Sequence, residues 1–142
     1  MPFTRTFRVR WVDTDVAGVM HFTNYLRYFE ACEEEFYRSV SMTFNDIQRK
    51  YGITLPRVAT HCSYKTACRF DDTFDVIMQL REASETITWD FQASRQPERR
   101  LAAEGYMHRR KPGMEGREST DGTGQNGSRE RTVSPTIVVN MR

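Results

Sequence analysis

The sequence predicts an α+β fold, and three observations carry that prediction. Residues 22–40 hold apolar side chains at three- and four-residue steps, the mark of a helix with one buried stripe. Five other stretches alternate apolar and polar side chains, as strands with one buried face do. The order is strand, long helix, short helix, then four strands. A run of antiparallel strands leaves one sheet face to be covered, and the single long helix is the element available to cover it. At 142 residues the chain has the length of one domain, expected over residues 1–110.

Each element follows from its residues. Phe7, Val9 and Trp11 alternate with Arg8, Arg10 and Val12, which predicts a first strand running through Trp11. Asp13-Thr14-Asp15-Val16-Ala17-Gly18 breaks the alternation with turn-forming side chains, and Gly18 supplies free choice of φ. The helical stripe is Phe22, Tyr25, Leu26, Phe29, Cys32, Phe36 and Val40, with Thr23 or Asn24 placed to cap its first turn. A second short helix is expected over residues 43–50, stopped by Gly52 and Pro56. Strands follow at Val58 to Tyr64, Phe74 to Leu80, Ile87 to Ala93 and Leu101 to Met107, the last two joined by a turn at Gln96-Pro97-Glu98. Residues 113–132 contain five Gly among mostly polar side chains, too little apolar surface to offset the entropy of ordering. A disordered tail over 111–142 is therefore expected, with strand character returning only at 136–141.

Charge narrows the function classes. Residues 1–108 carry 14 Lys and Arg against 15 Asp and Glu, scattered among one another, so the body lacks the clustered basic face of a nucleic-acid binder. No apolar run has the length of a membrane span or leader, and a cytoplasmic protein without membrane or nucleic-acid partners is expected. Cys32, Cys62 and Cys68 form no C-x-x-C pair and read as reduced thiols. His21, His61 and His108 with Cys62 and Cys68 have no metal-ligand spacing, so no metal is expected.

The chemistry-bearing stretch runs from Asp13 to Tyr25, where two carboxylates, a glycine and His21 directly precede a helix N-terminus. Free N–H groups and the positive end of the helix dipole gather there. A carbonyl oxygen aimed at that point is polarised, and an oxyanion formed from it is stabilised more than the neutral carbonyl. A carboxylate a few residues upstream then attacks the same carbon or takes a proton from water. The bland alternative is that Asp13 and Asp15 only make turn hydrogen bonds.

The run from Asp15 to Tyr25, with its D-x-x-G-x-x-x-x-x-N-Y pattern, resembles the signature of the hot-dog acyl-CoA thioesterases of the 4-hydroxybenzoyl-CoA thioesterase type. Arg10, Asp13-Thr14, Tyr28-Phe29-Glu30-Ala31, Ala67 to Thr73 and Ala102-Ala103-Glu104-Gly105 extend the likeness over roughly residues 5–110. It implies an antiparallel sheet wrapped around one long helix, in a homodimer or homotetramer with active sites between subunits. It also implies hydrolysis of an acyl-CoA to a free carboxylate and coenzyme A, the latter entering as part of the substrate and with no separate cofactor. On this likeness Asp15 is the catalytic carboxylate, as nucleophile or general base, and the Phe22 backbone N–H is the oxyanion donor. Gly18 bends the loop, and Asn24 and Tyr25 open the helix as supports or substrate contacts. His21 is either a bystander in the loop or an aid to proton transfer.

Two other functions use the same fold: a non-catalytic acyl-CoA binder, which the presence of Asp15 disfavours, and an acyl-thioester hydratase or dehydratase, for which only His21 stands near enough. Lys65, Arg69, Arg99 and Arg100 are candidates for pairing with coenzyme A phosphates. Glu33 lies in the apolar stripe by helical angle but sits in the run Glu33-Glu34-Glu35, and a solvated side chain is expected. Beyond His108 the chain departs from the family pattern, so a shortened last strand is expected.

Overall fold

The computed structural model describes residues 2–52, 54–84 and 86–110. The expected tail, with its strand at 136–141, lies outside the described residues. Five strands, β1 (Phe3–Arg8), β2 (Arg57–Tyr64), β3 (Thr73–Ala83), β4 (Thr86–Arg95) and β5 (Arg100–Arg110), form one antiparallel sheet in the order β1-β3-β4-β5-β2. Helix α1 (Asn24–Ser39) lies on one face of it and the shorter α2 (Phe44–Tyr51) follows. This is the hot-dog arrangement.

The core sits between α1 and the sheet. Phe29 stacks on Phe91 with ring centroids 4.9 Å apart, and Cys32, Phe74, Val76, Met78, Trp89, Ala93 and Met107 close around them, all buried. Burying one such large side chain contributes about 1.5–3 kcal/mol, so the helical stripe and the strand alternation are satisfied by the same contact. Helix α2 begins with a reciprocal cap: the Asp46 N–H donates to Thr43 Oγ1 while the Thr43 N–H donates to the Asp46 carboxylate. It ends at Gly52, whose φ of 64° lies in the left-handed region.

Four expectations are corrected. The first strand stops at Arg8, because its partner β3 begins at Thr73, which pairs with Arg8. Trp11–Asp13 forms a 3-10 turn, leaving Trp11 76% exposed while Val9 and Asp13 are buried. Neither Thr23 nor Asn24 caps α1: the Thr23 hydroxyl meets His21 Nδ1, and the Asn24 amide donates to the Asp13 carbonyl. The last strand is not cut short, since β5 runs to Arg110 and pairs along its length with both β4 and β2. Gly105 allows that close pairing, because a Cβ there would stand 2.0 Å from the His61 carbonyl oxygen.

Glu33 is the fourth. It is fully buried, and its carboxylate takes two bonds from Arg109, Nε at 2.7 Å and Nη2 at 3.0 Å, with Arg57 Nη2 at 3.2 Å and the Tyr37 hydroxyl at 3.4 Å. A buried carboxylate is tolerated when paired and hydrogen-bonded in this way. Arg109 in turn donates to the Leu55 carbonyl and lies over the Phe44 ring, so one ion cluster ties α1, α2 and β5 together.

Candidate active site

The loop between the 3-10 turn and α1 is held from both sides. On the helix side Asp13 is the hub: its carbonyl accepts the His21 N–H at 2.8 Å and the Asn24 amide at 3.0 Å. Its carboxylate accepts the Tyr28 hydroxyl, and Arg27 Nη1 lies 3.5 Å from it. Burial, then the bond to Asp13, pushes the Tyr28 hydroxyl up to about 12, so it stays a donor at physiological pH. On the sheet side the Met20 N–H donates to the Cys68 carbonyl at 2.7 Å, and Val19 forms a bridge with Arg69.

Between these supports residues 14–20 fold back on themselves. Thr14 bridges Met20, the Asp15 N–H donates to the Val19 carbonyl at 3.0 Å, and the Gly18 N–H donates to the Asp15 carbonyl at 2.9 Å. Gly18 has φ +73°, a conformation that costs other residues about 1–2 kcal/mol. A β-branched side chain there is strained as well as bulky, so Gly18→Val is expected to lower catalytic turnover by at least about tenfold through loop geometry alone. Full activity in a folded Gly18→Val protein would mean that the loop shape is not required.

The two aspartates have separated. Asp13 is buried and structural, whereas Asp15 is exposed, with Oδ1 accepting the Ala17 N–H at 2.9 Å. That bond is the expected turn contact, and it fixes the carboxylate's direction without burying it.

At the helix start the backbone polarity is set by one peptide plane. The His21 carbonyl accepts the Asn24 N–H at 3.0 Å, pointing into the first turn of α1. The peptide bond is planar and trans, so the Phe22 N–H on the other side of that plane points the opposite way. Among the described residues it donates to no protein acceptor. The Phe22 carbonyl accepts the Tyr64 hydroxyl at 2.9 Å, and the half-exposed Phe22 ring meets Tyr64 edge-on and His21 at 4.6 Å between centroids. The segment is therefore braced while its N–H remains available, the arrangement an oxyanion donor needs. His21 Nδ1 lies 2.7 Å from Thr23 Oγ1 and 3.4 Å from the Thr23 nitrogen, so the ring is tethered through that side.

Asn24 and Tyr25 are both buried. Asn24 holds Asp13 and accepts from Arg27 at 3.3 Å, and Tyr25 packs edge-on against Tyr64. Burial, then Cys68 beside it, drives the Tyr25 hydroxyl well above its usual range. Among the four candidate phosphate ligands Lys65 lies 3.9 Å from Glu104, whereas Arg69, Arg99 and Arg100 form no ion pair among the described residues. Sequence reasoning missed the bracing role of Tyr28 and Tyr64; Tyr28 stands one helical turn beyond Asn24, a spacing that could have pointed to a shared task. Among the described residues no helix is long and apolar enough to cross a membrane.

Comparison with known proteins agrees with the fold. A protein from Aquifex aeolicus (strain VF5), named "Putative esterase", is 36% identical over 92 residues, covering 64% of this chain and 71% of its own. A crystal structure of a 1,4-dihydroxy-2-naphthoyl-CoA thioesterase from Synechocystis superposes with a TM-score of 0.73 at 23% identity, covering 78% of this chain and 81% of that one. The 4-hydroxybenzoyl-CoA thioesterase of Pseudomonas sp. strain CBS-3 gives 0.70 at 20% identity, covering 78% and 84%. Residues 9–110, spanning the loop, both helices and four strands, match the family described as the thioesterase-like superfamily, and the chain belongs to that family.

Proposed function

We propose that this protein hydrolyses an acyl-CoA thioester to a carboxylate and free coenzyme A. The observation that carries the reading is the Phe22 N–H, turned outward from the first turn of α1 and donated to no protein group among the described residues, on the same loop as the exposed Asp15 carboxylate. The substrate carbonyl oxygen lies against that N–H. Asp15 acts on the carbonyl carbon, either by direct attack or by taking a proton from water, and both routes place negative charge on the oxygen that Phe22 faces. Collapse of the tetrahedral species breaks the carbon–sulfur bond, and the departing thiolate takes a proton from water or from an Asp15 that has taken one; after direct attack the acyl group remains on Asp15 as an anhydride, which water hydrolyses to the free carboxylate and Asp15. Gly18 gives the loop its turn, and Asn24 and Tyr25 hold the helix start. Water and substrate suffice, with coenzyme A entering as part of the substrate and no other cofactor. Family membership supports this reaction class, and the two solved thioesterases above are named for aromatic acyl-CoAs. The test is thiol release by the purified protein over a panel of short, long and aromatic acyl-CoAs; release from none of them overturns the reading.

The site is completed by a second copy of the chain. Trp11, Val12, Val16, Phe22 and Phe70 are exposed around the loop, and β2 presents an unpaired edge beside it. Such a surface favours association of identical chains. Light scattering at micromolar concentration is expected to give the mass of two or four 16.7 kDa chains, and a monomer mass would contradict it. Three free cysteines, two of them buried, support a reducing, cytoplasmic location.

A further inference from the structure

We infer that Arg69 recognises a second negative charge on the acyl group, so that the preferred substrate is an acyl-CoA whose acyl part ends in a carboxylate or comparable anion. The inference rests on the hydrolytic reading above for where the thioester carbonyl lies.

The backbone of Arg69 is fixed. Its N–H donates to Asp72 Oδ2 at 2.8 Å, its carbonyl accepts the Asp72 N–H at 3.1 Å, and Val19 bridges it from the candidate loop. From that anchor the guanidinium reaches over Gly18, where a methyl group built on the glycine would stand 3.8 Å from Nη1. Gly18 closes the turn that begins at Asp15, so the charge stands within the active loop.

This guanidinium makes no ion pair and donates no side-chain hydrogen bond among the described residues, although Asp71 and Asp72 follow it closely in the chain. Asp71 is taken by Arg8 at 3.2 Å, and Asp72 Oδ2 by the Arg69 N–H itself. Asp15 is not within ion-pair distance, so Arg69 does not serve to hold the catalytic carboxylate. Five N–H donors and a permanent charge therefore face outward in a fork that matches a carboxylate.

The residue that follows Arg69 is an exposed aromatic side chain. Phe70 and Trp11 form an exposed edge-to-face pair 5.4 Å apart, and Val16 is fully exposed at the loop tip. Exposed apolar side chains near one unpaired cation suit a group with an apolar body and an anionic end. The phosphates of coenzyme A are the other anions at hand. Probes that share those phosphates and differ only at the acyl end separate the two.

The probes are two thioethers that cannot be hydrolysed, S-(3-carboxypropyl)-CoA and S-butyl-CoA, nearly equal in size and differing in one carboxylate. Titration calorimetry on the full chain is expected to show the carboxylated probe binding at least about tenfold more tightly, about 1.4 kcal/mol. Arg69→Gln should erase that ratio while leaving the affinity for S-butyl-CoA within about twofold, and Arg69→Lys should keep part of it. Equal affinities in the unaltered protein, no binding of either probe, or an equal loss of both in Arg69→Gln would each overturn the inference. Because neither probe turns over, a preference found in a protein that hydrolyses no acyl-CoA would sink the hydrolytic reading alone.

Discussion

Glu33→Ala is expected to lower the free energy of unfolding by about 3–5 kcal/mol, because it leaves Arg109 buried with no counter-charge. Removing one partner of a buried pair costs more than the pair contributes, since the survivor keeps its desolvation and loses its compensation. Here the survivor also bonds Leu55 and covers Phe44, so its displacement loosens α2. Urea denaturation followed by circular dichroism measures the loss, and a change below about 1 kcal/mol would show that water screens the cluster. Arg109→Ala should cost a similar amount. The double replacement should cost clearly less than the sum, because groups in one network do not act independently.

Asp15→Asn keeps size and polarity and removes the charge and most of the basicity. Turnover of an acyl-CoA is expected to fall by at least about a hundredfold with the fold retained, the scale of losing a positioned base or nucleophile. The side chain is exposed and among the described residues it bonds the Ala17 N–H, which an amide oxygen can also accept, so stability should barely change. Asp13→Asn supplies the contrast. Asp13 is buried beneath Tyr28 and Arg27, and its loss should appear first in the melting temperature. An unchanged rate of thiol release by folded Asp15→Asn protein would remove Asp15 from the reaction.

The helix and the strands were legible because one period, 3.6 or 2, runs through each of them and the same residues that set the period fill the core. The pattern misled where its support lay elsewhere in the chain. Trp11 continues the alternation of Phe7 and Val9, yet a strand persists only as long as its neighbour, and β3 begins opposite Arg8. Glu33 looks like its companions Glu34 and Glu35, and only Arg109, brought in by β5, makes its burial tolerable. The spacing of Asp15, Gly18 and Asn24 pointed to the loop, and Gly18 takes the positive φ that a turn glycine there permits. What spacing could not separate was the buried Asp13 from the exposed Asp15. That division depends on Tyr28 and Arg27 closing over one of them, which is a matter of three-dimensional packing.

The bond from the Met20 N–H to the Cys68 carbonyl joins the loop to a segment reached only after both helices and β2. Closing a connection of that length costs entropy that local contacts do not repay, so the loop acquires its shape late, when the sheet is already assembled. Once in place it opens with the sheet and not ahead of it, unlike a surface lid that frays alone. The Met20 amide should therefore exchange its hydrogen about as slowly as the central strands β3 and β4, although it lies in a loop beside an exposed carboxylate. Reactivity and rigidity would then share one segment, and no separate closing motion would be needed to align it.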